Sequence, residues 1–188
     1  MKRSNCWRNT SADRDTIIVF TSDHGDFNGD FGLVRKGGPW FDSLLHVPLL
    51  VHVPGHSANG SRRAAITQHE DLAPTLLELL GLPVPRQVQG VSFAGALNDA
   101  AVRPRSHAFY EFACAEEPFI HGVSDGRWKY LNYQGIAEVL VEVTDLQSEI
   151  DNHAGQPSTT GIQTRLQQEL YEWLLRTQPF RLPRQHTF

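Results

Sequence analysis

The sequence predicts a mixed α/β protein, with part of an α/β sheet layer over residues 16–100 and then a small antiparallel sheet packed with a C-terminal helix over 101–188. Three observations predict it. Thr16-Ile17-Ile18-Val19-Phe20-Thr21 is an unbroken β-branched and aromatic run, the pattern of a strand buried on both faces of a parallel sheet. Residues 106–143 hold several short strand-like runs separated by turn residues. Residues 161–177 carry an apolar stripe at helical spacing.

Residues 1–15 are polar and without period, and read as an irregular start ahead of the first element. The first strand, 16–23, follows. Val47-Pro48-Leu49-Leu50-Val51-His52-Val53-Pro54-Gly55 is a second strand, with its prolines near the ends where lost ladder bonds matter least. A helix over 71–81 comes next, opened by Asp71, carrying Pro74 in its first turn and stopped by Gly81. Leu72, Leu76, Leu79 and Leu80 share one face, expected to lie against the sheet.

Beyond the prolines at 83 and 85 the texture changes. Strands are expected at 106–112, 119–124, 128–133 and 139–143, with Asp125-Gly126 as the hairpin turn between the second and third. In the last helix Ile162, Leu166, Leu170, Trp173 and Leu174 form the stripe that covers this sheet.

Composition narrows the function classes. The chain has 188 residues, 40% hydrophobic and 20% charged, with 17 basic and 21 acidic residues for a net charge of −4. Basic residues do not cluster as a nucleic-acid surface requires. No apolar run reaches the roughly 20 residues of a membrane span. The start lacks the apolar core of a signal peptide, which inclines the expected location toward the cytoplasm. Cys6 and Cys114 have no zinc-type spacing and form no disulfide framework.

The chemistry-bearing segment is Thr21-Ser22-Asp23-His24-Gly25, at the end of the first strand. Ligands of open α/β sheets bind beyond the carboxyl ends of strands. On a regular strand Asp23 and His24 point to opposite faces, but a turn at Gly25 can aim both at one divalent cation. Carboxylate suits Ca²⁺, Mg²⁺ or Mn²⁺ and imidazole suits transition metals, which leaves the metal open. The plain alternative is a turn-forming aspartate beside a hydrogen-bonded core histidine.

Residues 25–38 contain five glycines and end near Lys36, and long glycine-rich loops inside compact domains are commonly functional. Lys36 is a mobile point charge able to meet an anionic oxygen, or otherwise a solvated surface lysine. His46, Trp40 and Phe41 are candidates for the mouth of the same pocket, with core packing as the alternative for the aromatics.

Taken together, Asp15-Thr16-Ile17-Ile18-Val19-Phe20-Thr21-Ser22-Asp23-His24-Gly25 through Arg35-Lys36-Gly37, then Val47-Pro48-Leu49-Leu50-Val51 and Asp71-Leu72-Ala73-Pro74-Thr75-Leu76-Leu77, closely resemble the carboxy-terminal signature of the sulfatase family in the alkaline phosphatase superfamily. The likeness continues more loosely through Asp125-Gly126-Arg127-Trp128-Lys129-Tyr130. It implies a metal-dependent hydrolase of small sulfate esters. Asp23 and His24 would be ligands of a divalent cation, Ca²⁺ by family with Mn²⁺ or Mg²⁺ as alternatives, and Lys36 would hold the sulfate group or the leaving oxygen.

The family commonly has histidine where this chain has Phe31, so a substrate contact from position 31 is replaced by an apolar ring that shapes the pocket. The family's formylglycine comes from Cys/Ser-x-Pro-x-Arg. None of the eleven prolines here is preceded at two positions by Cys or Ser. Thr177-Gln178-Pro179-Phe180-Arg181 has the spacing with an unsuitable residue at the wrong end of the fold. This chain therefore encodes no nucleophile, and is expected to be a carboxy-terminal portion inactive alone. A phosphonate or phosphate monoester hydrolase of the same superfamily fits the same residues, and so does a non-catalytic binding module or remnant. Self-association is the expected hazard of a sheet surface left open.

Overall fold

A computed structural model describes residues 15–37, 41–55, 60–114, 117–134, 136–145 and 147–177. The chain divides into two compact units, Met1–Arg105 and Ser106–Phe188.

In the first unit, strands β1 (Ile18–Thr21) and β2 (Leu49–His52) form a two-stranded sheet. Between them lie a short 3-10 turn at Asp30–Gly32 and helix α1 (Asp42–Leu45). A 3-10 turn at His69–Asp71 leads into helix α2 (Leu72–Leu79), and helix α3 (Ala94–Asn98) follows.

Two expectations are corrected here. β1 and β2 run antiparallel, with Ile18 opposite His52 and Phe20 opposite Leu50. They are not buried on both faces: Phe20 is 59% and Leu50 63% exposed, while Val19 and Val51 are partly covered. A β-branched run reads as doubly buried whatever covers it, and burial depends on neighbouring layers that the run does not specify. The expected leucine face of α2 is only partly inward: Leu72, Leu76 and Leu79 are half-buried, Pro74 and Thr75 beside them are buried, and Leu80, just past the helix, is 61% exposed.

Hydrogen bonding explains the turn of that face. The Thr75 hydroxyl donates to the Asp71 carbonyl at 2.6 Å and accepts the Phe93 amide at 2.9 Å. This ties α2 to the segment that starts α3, with Phe93, Ala94 and Ala96 buried beside it. Gly90 passes so close that a β-carbon there would sit 1.9 Å from the Glu70 carbonyl oxygen. Gly81, in the left-handed region at φ +68°, ends the helix as the sequence predicts.

Asp71 is the polar centre of this unit and fully buried. Its carboxylate accepts the amides of Gln68 at 2.8 Å and Val91 at 2.7 Å and pairs with the buried Arg105 guanidinium. Arg105 also reaches Glu70 at 3.0 Å and the Gln68 side-chain oxygen.

The second unit is a four-stranded antiparallel meander in the order β3 (Ala108–Cys114), β4 (Glu117–Ser124), β5 (Trp128–Tyr133), β6 (Ala137–Glu142), covered by helix α4 (Thr160–Thr177). The predicted stripe is the covering face. Leu166 and Leu170 join Val123, Tyr130 and Leu140 in the core, with Ile162, Trp173 and Leu174 packed around them. Phe109 of β3 stacks on Trp173 with ring centres 4.9 Å apart.

The Asp125-Gly126 turn forms between β4 and β5, with Gly126 at φ +87°. One Asp125 carboxylate oxygen accepts the Arg127 and Trp128 amides and the other accepts Arg165 of α4. Burial alone would raise the Asp125 carboxyl, but Arg165 and the two amides outweigh it and hold the group below its ordinary value. Among the described residues no helix is long and apolar enough to cross a membrane.

Candidate functional site

β1 ends at Thr21, and the chain turns sharply because Gly25 runs directly against α1. The Gly25 amide donates to the Leu44 carbonyl at 2.8 Å, and a β-carbon at position 25 would lie 1.8 Å from the Ser43 carbonyl oxygen. Only glycine fits. Gly25→Ala is expected to destabilise this unit by about 2–3 kcal/mol through backbone displacement. A thermal melt with His24 ring signals followed by NMR would show both the loss and the shifted ring.

The same turn brings the predicted pair together. Asp23 Oδ2 and His24 Nε2 lie 3.5 Å apart. Asp23 Oδ1 accepts the His24 amide at 3.0 Å, and the Ser22 hydroxyl donates to the His24 carbonyl at 2.8 Å. The His24 amide donated to Oδ1, first among the causes, holds the Asp23 carboxyl below its ordinary value. It is therefore an anion throughout the neutral range, exposed to solvent.

His24 Nδ1 lies 2.7 Å from the Gly25 carbonyl, which can only accept, so Nδ1 carries the hydrogen. In the neutral ring this leaves the lone pair on Nε2. Lys36 Nζ donates to it at 2.9 Å. His24 thus meets both Asp23 and Lys36, the last twelve positions further along the chain.

The loop makes that closure through left-handed backbone. Gly29, Gly32 and Gly37 have φ of +107°, +70° and +115°, and Asn28, Phe31 and Arg35 adopt positive φ without being glycine. Non-glycine residues there cost of order 1 kcal/mol each. Phe27, 2% exposed, anchors the loop, with Phe31 and Phe41 packed edge-on against it at 6.5 and 5.9 Å. Phe31 stacks on Phe41 with ring centres 3.9 Å apart. The Ser43 hydroxyl donates to Asp30 at 2.6 Å and joins loop to α1.

The other candidates fall elsewhere. His46 is 83% exposed just beyond α1, 3.9 Å from Asp42, and no hydrogen bond among the described residues links it to the Asp23–His24–Lys36 group. Trp40 lies outside the described residues. One neighbour escaped sequence reasoning: His69, whose Nε2–H donates to the Ser22 carbonyl at 2.7 Å. No local motif marks it, since its partner is 47 residues away. Through His69 the Asp71–Arg105 centre at the start of α2 is joined to the residue preceding Asp23.

The donor set suits a divalent cation as a partial ligand group. Two ligands at right angles and about 2.4 Å from one ion are about 3.4 Å apart, close to the observed 3.5 Å between Asp23 Oδ2 and His24 Nε2. Both donors face outward, and the hydrogen on Nδ1 leaves Nε2 as the ligating atom. Among the described residues no group of three or more His, Cys, Asp or Glu side chains gathers as a complete cation site. Further ligands would come from outside these residues.

Comparison with known proteins bears on this geometry. The family model described as N-sulphoglucosamine sulphohydrolase, C-terminal, matches residues 29–176. A delta 4,5-hexuronate-2-O-sulfatase of Bacteroides thetaiotaomicron is 30% identical over 164 residues, covering 81% of this chain and 33% of that protein. A crystal structure assigned as a sulfatase from the same organism superposes with a TM-score of 0.80 at 28% identity, covering 90% of this chain and 38% of that one. A phosphonate monoester hydrolase of Agrobacterium radiobacter superposes at 0.74 with 26% identity, covering 86% and 35%. The chain therefore spans little more than a third of the length of these relatives.

Proposed function

This chain belongs to the sulfatase family of the alkaline phosphatase superfamily, as a C-terminal portion, and we propose that it supplies the cation-binding and lysine side of a sulfate-ester hydrolase site. The observation that supports this most is that His24 Nε2, beyond the end of β1, lies 3.5 Å from Asp23 Oδ2 and 2.9 Å from Lys36 Nζ.

Asp23 and His24 would hold the divalent cation, Ca²⁺ by family, with Mn²⁺ or Mg²⁺ as alternatives. When bound, the cation neutralises charge on the sulfate group and lowers the pKa of a coordinated hydroxyl. Asp23 brings a fixed negative charge, and the Gly25 carbonyl holds the His24 ring in the tautomer that ligates. Lys36, on a flexible stem, places a positive charge where negative charge grows on the leaving oxygen, a contribution realised mainly in the transition state. Phe27, Phe31 and Phe41 keep the loop that carries Lys36 in place.

The substrate class we propose is a small sulfated saccharide, in line with the family description and the hexuronate sulfatase relative. The nucleophile is not encoded here, so the isolated chain is proposed to be inactive. A phosphonate monoester hydrolase is the second reading, favoured by the likeness to the Agrobacterium enzyme.

The test reads the DNA upstream of the Met1 codon in all three frames for Cys/Ser-x-Pro-x-Arg and assays the extended product on aryl sulfate, sulfated sugar and aryl phosphonate esters. Sulfate release is expected from the extended product and none from the 188-residue chain. Lys36→Ala should lower kcat by about 10²–10³ with little change in KM. Preferential phosphonate cleavage would move the assignment to the second reading. Absence of the motif, with no turnover, would remove the hydrolase proposal.

A further inference from the structure

We propose that Lys36 also guards the site: while it is free of metal, its ammonium holds the His24 nitrogen that the divalent ion would take, and metal binding must displace it. The inference rests on the proposed assignment of Asp23 and His24 as ligands and adds a second role for a residue assigned above only to substrate.

Two observations carry it. The His24 Nε2 lone pair, the atom that would ligate, is already engaged by Lys36 Nζ at 2.9 Å. The ring cannot turn this bond aside, because Nδ1 donates to the Gly25 carbonyl at 2.7 Å and Gly25 is locked against Ser43 and Leu44. One positive group therefore already holds the nitrogen that a cation would take.

The arrangement has a chemical consequence. Lys36 meets the imidazole lone pair, and the Asp23 carboxylate lies 3.5 Å from the same nitrogen. When the metal enters, Nε2 exchanges a hydrogen bond for a coordinate bond, and like-charge repulsion drives the ammonium off. The lysine stem is exposed and unbranched and can swing, which releases the charge toward an incoming anion. Metal loading and lysine delivery become one event.

Mn²⁺ is the probe for the test, since paramagnetic broadening detects weak binding and acts over a short range. The 188-residue chain with labelled histidine rings is titrated with MnCl₂, the other histidines serving as internal references and His24→Ala identifying the His24 signals. Lys36→Met should bind Mn²⁺ about tenfold more tightly than wild type, because a hydrogen bond to a charged group no longer has to be broken. Lys36→Arg, which keeps a charged donor, should stay near wild type. Arg35→Met removes the neighbouring exposed charge and should change the affinity less than twofold.

Unchanged or weaker binding by Lys36→Met overturns the inference, and so does an equal gain from Arg35→Met, which would reduce the effect to general charge. If wild type and Lys36→Met both leave the His24 signals sharp at millimolar Mn²⁺, the cation assignment itself fails, and the guarding role falls with it.

Discussion

Lys129→Met is expected to destabilise the second unit by about 3–5 kcal/mol and lower its melting temperature by about 15 °C or more. Lys129 projects from β5 and is 1% exposed, with its ammonium 2.8 Å from Glu149, itself 2% exposed in side chain. Each charge is sheltered from water, and part of its lost solvation is replaced by the other. Removing the lysine leaves a buried carboxylate without its cation, and that uncompensated charge sets the size of the loss. The pair itself is worth much less than either deletion implies. The double variant Lys129→Met/Glu149→Leu should therefore recover most of the stability, since apolar residues of similar volume replace buried ion pairs at little net cost. Thermal melts of the three proteins check this. A single variant as stable as wild type would mean that water reaches the pair.

The second large effect is expected at Asp71. The two oxygens of its fully buried carboxylate accept the Gln68 and Val91 amides and the Arg105 guanidinium. In Asp71→Asn one oxygen becomes an NH₂ group that faces donors, so at least one backbone amide is left unpaired and Arg105 loses its principal counter-charge. A cost of about 3 kcal/mol or more follows, confined to the first unit. Amide hydrogen exchange at Val91 and Phe93 should speed up strongly while that of β5 stays protected. Because His69 ties this centre to Ser22, the His24 ring signals should broaden or shift as well. Equal protection at Val91 in variant and wild type would contradict the assigned role of the carboxylate.

Asp71 shows where sequence reading stops. Its position before Leu72-Ala73-Pro74 marks a helix start, and a helix does start there. That the same residue is the buried centre of an ion pair 34 residues distant is not a local property, and Arg105 carries no motif. The leucines of α2 mislead for a related reason. Helical spacing identifies residues that share a face, but the Thr75 bond to Phe93 decides which face turns inward. In the second unit the reading fares better because α4 has a single stripe and the sheet a single face for it. β5 was placed at its observed bounds, and β3, β4 and β6 within a few residues of theirs.

At the candidate site, Asp23 and His24 are adjacent in the chain and Lys36 follows a glycine-rich loop, so the residues stand out by composition and by family likeness. Their meeting does not. It needs Gly25 pressed against Ser43, six described residues of the loop in left-handed backbone, and Phe27 buried beneath them.

By itself the sequence determined the mixed fold class, the strands and helices of the second unit, the family and the residues worth watching, because periodicity, turn chemistry and motif are local properties of the chain. Only the tertiary structure decided that β1 and β2 run antiparallel with Phe20 and Leu50 exposed, that Asp71 and Arg105 pair, and that Lys36 caps His24. Each of these depends on which distant segments come within a few ångströms of one another, and short-range sequence pattern does not encode that distance.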